Sequence, residues 1–116
     1  NALAPTAGTR MTEGLIPEKA FDLLTPETVT PAVLYLVSED APNRTILAAG
    51  AGAYAVAKIV ETDGAWLAPE EQTPEGIAAH WDAITATAGE TVPQAGFEQT
   101  VKFIGKAAEG LGIKLD

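Results

Sequence analysis

The stretch that most limits what this chain can fold into is its opening, Asn1-Ala2-Leu3-Ala4-Pro5, followed by Thr6-Ala7-Gly8-Thr9-Arg10-Met11-Thr12. Ala2, Leu3 and Ala4 are apolar without alternation, as expected of a strand covered on both faces. Pro5, Gly8 and Gly14 then turn the backbone out of that strand into a loop. A central strand usually runs about five or six residues. A chain that opens inside one reads as the C-terminal part of something longer, with an apolar edge that needs an upstream partner.

Charge removes several function classes. Sixteen acidic against seven basic residues give a net charge of -9. Such a field repels nucleic-acid backbones and anionic membrane surfaces. There is no cysteine, so disulfides and thiolate metal sites are excluded and a cytoplasmic setting is the default. The longest uncharged apolar-leaning run, residues 45–57, falls short of the roughly 20 residues that cross a bilayer. With 47% hydrophobic residues, the 116 residues suffice for one domain with a modest core.

Along the chain, Pro17 is well placed to start a short helix carrying Phe21 and Leu24. Thr25-Pro26-Glu27 has the signature of a helix start, with Pro31 delaying or bending the first turn. The spacing of Val29, Val33, Leu36 and Val37 predicts one buried face. Ile46-Leu47-Ala48-Ala49 reads as a strand buried on both sides and ended by Gly50-Ala51-Gly52. The sequence then predicts a surface hairpin, residues 54–62 and 65–67 flanking Asp63-Gly64. Thr73-Pro74-Glu75 caps a helix bearing Ile77, Trp81 and Ile84 that ends before Gly89, and a last helix from about Gln94 groups Phe97, Val101 and Ile104. Two such narrow apolar faces must dock on something.

The ordered series NALAP, a Gly-bearing loop ending in RMT, the helix TPETVTPAVLYLVSED, the strand TILAAG and its GAG turn resembles the C-terminal third of the short-chain dehydrogenase/reductase family. The region around Asp63-Gly64 and TPEGIAAHWDAI extends the likeness past the usual end of that fold. There it is most similar to the (3R)-hydroxyacyl-CoA dehydrogenase unit of multifunctional enzymes of type 2 and bacterial relatives.

The resemblance implies an α/β fold, the C-terminal portion of a Rossmann-type doubly wound parallel sheet with a hairpin and a helical extension. Residues 1–52 would end the dinucleotide-binding domain, and 53–116 would form the extension and make subunit contacts in a homodimer. It implies NAD as cofactor, with NADP left open because the selecting residue lies outside these positions. Ala7, Gly8, Thr9 and Arg10 carry over as cofactor contacts: Gly8 permits close approach, Thr9 offers a hydroxyl and Arg10 a planar cation for phosphate. Met11, Leu15, Ile16 and Phe21 carry over as lid residues lining the path of an acyl-CoA-type substrate. Pro5-Thr6 departs from the Pro-Gly of most of the family.

Tyr54-Ala55-Val56-Ala57-Lys58 mimics the family's catalytic Tyr-x-x-x-Lys pair, which works because both residues share a helical face. Here it lies downstream of NALAP on an expected strand, where residues four apart are separated by more than about 12 Å. It is read as coincidence. The family's Gly-rich turn is also missing, so the catalytic residues and the rest of the cofactor site would belong to an N-terminal part of the same enzyme. His80 is read as a surface or packing residue, and no metal site is expected. The alternative is a free-standing, non-catalytic α/β interaction module, favoured by the acidic surface and the docking-type terminal helices.

Overall fold

The computed structural model describes residues 1–116, which form two compact units, Asn1–Lys58 and Ile59–Asp116. In the first, β1 (Ala2–Pro5), β2 (Ile46–Gly50) and β3 (Ala53–Ala57) make a sheet of order β1-β2-β3. β1 and β2 run parallel, Leu3 opposite Leu47 and Pro5 opposite Ala49. Parallel neighbours cannot be joined by a tight turn and need a long crossover. Here it consists of a loop, α1 (Glu18–Phe21), a 3₁₀ turn at Pro26–Thr28 and α2 (Thr30–Leu36).

Proline sets the helix boundaries in that crossover. Pro17 sits extended, at ψ 142°, immediately before α1. Pro31 occupies the first turn of α2, where a missing N–H costs nothing. The Thr25 side chain makes no capping bond, and the Thr25-Pro26-Glu27 signature yields only the 3₁₀ turn. α2 turns Ala32 inward, with Val29 and Leu36 half-buried, while Val33 and Val37 face out. The covered strip is therefore narrower than the spacing predicts.

The hairpin lies elsewhere than expected. β2 and β3 pair antiparallel across Ala51-Gly52, with Gly50 opposite Ala53. Ala51 at φ 51° and Gly52 at φ 77° supply the two positive φ angles that a type I′ turn demands. At Asp63-Gly64 the backbone takes a positive φ, 73° at Gly64, but neither a turn nor a second strand forms, and Glu61 instead makes an isolated antiparallel bridge with Thr91.

That bridge belongs to the second unit, which continues with a 3₁₀ turn at Pro69–Glu71, α3 (Pro74–Ala79), α4 (Trp81–Thr85) and α5 (Phe97–Leu111). Thr73 caps α3, its Oγ1 accepting the Gly76 N–H at 3.0 Å. The predicted single helix through Trp81 breaks at His80, φ -101° and ψ 10°. The His80 backbone N–H and its ring Nδ1 both meet the Gly76 carbonyl, at 3.1 and 2.9 Å, so a side chain competes with the helical ladder there.

α5 also departs from expectation. Phe97, Val101 and Ile104 do share a stripe, but it faces solvent, Phe97 at 78% exposure. The inward side carries Lys102, Lys106 and the buried Ala108. Lys102 pairs with Glu61 and donates to the Thr62 carbonyl at 2.8 Å, and Lys106 reaches Asp63 at 2.7 Å. The lysine stems cover apolar surface while their ammonium groups stay paired. Around them lies a cavity of about 570 Å³ with Trp66, Leu67, Ile77, Ile84 and Phe103 in its wall. The helix closes on Gly112 at φ 66°, the Ile113 N–H returning to the Ala108 carbonyl at 2.9 Å.

Two outcomes follow from this unit. A Cβ built on Gly110 would overlap the Trp66 ring, whereas one on Gly105 meets nothing within 4 Å. Gly110→Ala should cost about 1–3 kcal/mol in urea unfolding, and Gly105→Ala should stabilise by about 0.5–1 kcal/mol. Lys102, and then Gln99, hold the Glu61 carboxyl below its ordinary range, and Lys106 does the same for Asp63. The stability these carboxylates contribute is complete above their unfolded-state values, near pH 4, and is lost as pH falls through the lower folded-state values. Lys102→Met should flatten the acid limb of the stability profile followed by circular dichroism, and an unchanged limb would contradict the pairing.

Candidate functional site

In open α/β sheets ligands gather beyond the carboxyl ends of parallel strands. In the first unit that place is the loop leaving β1. The Thr6 N–H still bonds the Ala49 carbonyl at 2.8 Å, so the loop begins against the end of β2. Gly50 is required at this junction: a Cβ there would stand 2.9 Å from the Thr6 carbonyl oxygen. An apolar recess of about 330 Å³ opens beside it, with Thr6, Leu24, Ala49 and Tyr54 among its walls.

Ala7, Gly8, Thr9 and Arg10 are consecutive on this loop, and their polar groups are unequally available. The Gly8 N–H bonds the Leu24 carbonyl. The Thr9 N–H bonds the Thr12 Oγ1 at 2.9 Å, and the Thr9 hydroxyl accepts the Met11 N–H at 3.3 Å. The backbone N–H groups of Ala7 and Arg10 have no partner, nor does the exposed Arg10 guanidinium. The loop therefore presents one cation and two free backbone donors, a set suited to an anionic or carbonyl-bearing ligand.

Gly8 is small for a reason the sequence did not reveal. The side on which a Cβ would project is filled by Phe21, whose ring and carbonyl oxygen lie 3.1 Å from that position. The absent side chain thus admits Phe21. Of the four lid candidates, Phe21 touches the loop and is half-buried, as is Ile16, whereas Met11 and Leu15 project into solvent at 88% and 77% exposure. The chain brings Gly8 and Phe21 together and leaves the apolar tip of the lid uncovered. Thr12, absent from the residues the resemblance implies, belongs to this group through its bonds to Thr9 and Ala7. Its spacing of three from Thr9, typical of side-chain to backbone turns, was the available signal.

The Tyr54 and Lys58 geometry follows the strand reading. Tyr54 lies on β3 and its hydroxyl donates to the Thr28 carbonyl at 2.7 Å, while Lys58 stands exposed just past the strand's end. That hydroxyl is committed to holding the crossover on the sheet. In the second unit, His80 Nε2 lies 3.7 Å from Glu71, and no group of three or more His, Asp or Glu converges to hold a metal ion. No helix is long and apolar enough to cross a membrane.

No family model matches the chain. Individual proteins do. A short-chain type dehydrogenase/reductase of Mycobacterium tuberculosis is 37% identical over 99 residues, covering 84% of this chain and 34% of that protein. The peroxisomal multifunctional enzyme type 2 of Mus musculus is 36% identical over 103 residues, covering 86% of this chain and 14% of the enzyme. A peroxisomal hydratase-dehydrogenase-epimerase of Neurospora crassa is 36% identical over 88 residues, 73% of this chain and 10% of that protein. The chain thus spans between 10% and 34% of the length of these relatives. Among solved structures, full-length peroxisomal multifunctional enzyme type 2 from Drosophila melanogaster superposes with a TM-score of 0.70 at 24% identity, over 94% of this chain and 20% of that one. That likeness establishes a shared Rossmann-like α/β fold.

The contact between Gly8 and Phe21 can be tested by itself. Gly8→Ala should cost about 1–2 kcal/mol through overpacking. Combined with Phe21→Leu, the total loss should fall short of the sum of the single losses by about 0.5 kcal/mol or more, as for residues in contact. Strict additivity in urea unfolding would separate the two residues.

Proposed function

We propose, from a chain whose homologues are short-chain dehydrogenases/reductases and dehydrogenase-bearing multifunctional enzymes, that it serves as one segment of an NAD-dependent oxidoreductase acting on 3-hydroxyacyl-CoA or a similar hydroxyacyl thioester. The observation that carries this reading is the loop leaving β1: two unpaired N–H groups and an unpaired guanidinium at the carboxyl end of a parallel strand, backed by Phe21. Residues 1–52 would supply the last part of the dinucleotide domain and 53–116 an extension that makes subunit contacts in a homodimer.

A nicotinamide dinucleotide fits these donors and would accept hydride from the substrate's hydroxyl-bearing carbon as the hydroxyl releases its proton. Ala7 and Arg10 would supply backbone donors, the Thr9 hydroxyl a further donor and the Arg10 guanidinium a phosphate partner. Phe21, Ile16, Leu15 and Met11 would line the acyl side, the last two being covered only when substrate or another part of the enzyme lies over them. The proton-transferring groups belong to other residues of the enzyme, since Tyr54 and Lys58 share no helical face. We place the enzyme in the cytoplasm and read the cofactor as NAD in preference to NADP.

The test uses the full-length gene product with NAD and a 3-hydroxyacyl-CoA, following formation of the reduced cofactor. Arg10→Ala should raise the KM for cofactor or acyl-CoA about tenfold, the loss of one charge-assisted hydrogen bond. Unchanged values for both would remove Arg10 from the site. A full-length product that neither binds dinucleotide nor turns over thioester would leave the non-catalytic interaction module as the better reading.

A further inference from the structure

We infer that Thr12 is a positioning residue whose hydroxyl latches the loop leaving β1, deciding which of its backbone donors face a ligand. Three contacts converge on one oxygen. Thr12 Oγ1 accepts the Thr9 N–H at 2.9 Å, and its single proton lies between the carbonyls of Thr9, at 3.1 Å, and Ala7, at 3.3 Å. The Thr9 carbonyl also receives the N–H groups of Thr12 and Glu13, each at 3.0 Å. One half-buried side chain therefore fixes both ends of the Thr9 residue and the peptide that follows Ala7.

The consequence is a division of labour among adjacent amides. The Leu24 carbonyl takes the Gly8 N–H and Thr12 takes the Thr9 N–H, so the donors left over are those of Ala7 and Arg10, on either side of the latched pair. Without the hydroxyl, the Thr9 peptide would be free to rotate and to offer its N–H in several directions. A ligand would then have to order the loop as it bound, at a cost in affinity. Water can replace the lost bond at this exposed amide, so the fold itself loses little. Thr12 acts through Thr9, Ala7 and Arg10 without touching the ligand.

The inference rests on the dinucleotide reading of the loop, and its test separates the two. In the full-length gene product, Thr12→Val keeps the side-chain volume and removes the hydroxyl, and Thr12→Ser restores the hydroxyl. Thr12→Val should accelerate hydrogen exchange of the Thr9 amide at least tenfold in the free protein, with the melting temperature essentially unchanged. It should weaken dinucleotide binding about five- to twentyfold, leave the KM for acyl-CoA within about twofold, and be rescued by Thr12→Ser on both counts. Unaltered Thr9 exchange in Thr12→Val overturns the latch itself. Altered exchange with unaltered dinucleotide affinity overturns the positioning role. A wild-type product that binds no dinucleotide overturns the reading on which the role rests, whatever the exchange data show.

Discussion

The parallel register between β1 and β2 is the constraint from which the rest of the first unit follows. Two strands side by side in the same direction cannot be joined by a tight turn, so the chain crosses over the sheet between them, here in about forty residues. That crossover begins beyond Pro5, at the strand end where open α/β sheets collect ligands. Gly50 lets the outgoing chain pass close to β2, Gly8 lets Phe21 fold back onto the loop, and Tyr54 ties the crossover to β3 through the Thr28 carbonyl. These contacts, with the Thr6 N–H on the Ala49 carbonyl, hold the start of the loop and the crossover against the sheet.

The same register leaves a strand of unusual exposure. Parallel strands are normally covered on both faces, yet of β1 only Leu3 is even half-buried, and β2 is its sole neighbour. Four apolar residues are buried in the whole chain, Ala32, Ala49, Leu67 and Ala108, three of them alanines. Leu34, Val37, Phe97, Val101 and Ile113 all stand more than half exposed. A core of alanines excludes little water, at roughly 25 cal/mol per Å² of apolar area removed. Side chains spaced as an amphipathic helix would space its covered face thus stand in solvent within each unit.

What the sequence made legible was punctuation by residues whose effect is local. Pro17, Pro31 and the Thr73 cap mark helix starts because a missing N–H or a side-chain oxygen acts within one turn. β2 was readable from its unbroken apolar run. The hairpin was misplaced because Asp63-Gly64 carries the stronger turn signal, while the turn that forms places Ala51, a residue that pays for positive φ, beside Gly52. Pairing with β2 outweighs that strain. The break at His80 depended on an imidazole reaching the Gly76 carbonyl, and the outward stripe of α5 on two lysines meeting Glu61 and Asp63. The first is a side-chain contact four residues back and the second a tertiary one, and apolar periodicity encodes neither. Within the candidate site the loop was legible, but the use of Gly8 and the hydroxyl of Thr12 were not, since both depend on how the loop folds back on itself.

Tyr54 and Lys58 illustrate why spacing becomes chemistry only through local structure. On a helix a four-residue interval closes to one face, and an ammonium there can stabilise a phenolate. On β3 the same interval stretches to about 13 Å at 3.3 Å per residue, and the phenol spends its proton on the Thr28 carbonyl. The pair cannot transfer a proton together, whatever the sequence pattern allows. What the loop leaving β1 offers is a set of donors: the exposed Arg10 guanidinium and two backbone N–H groups, the Phe21 ring behind Gly8, and a Thr12 hydroxyl that accepts the Thr9 N–H between them.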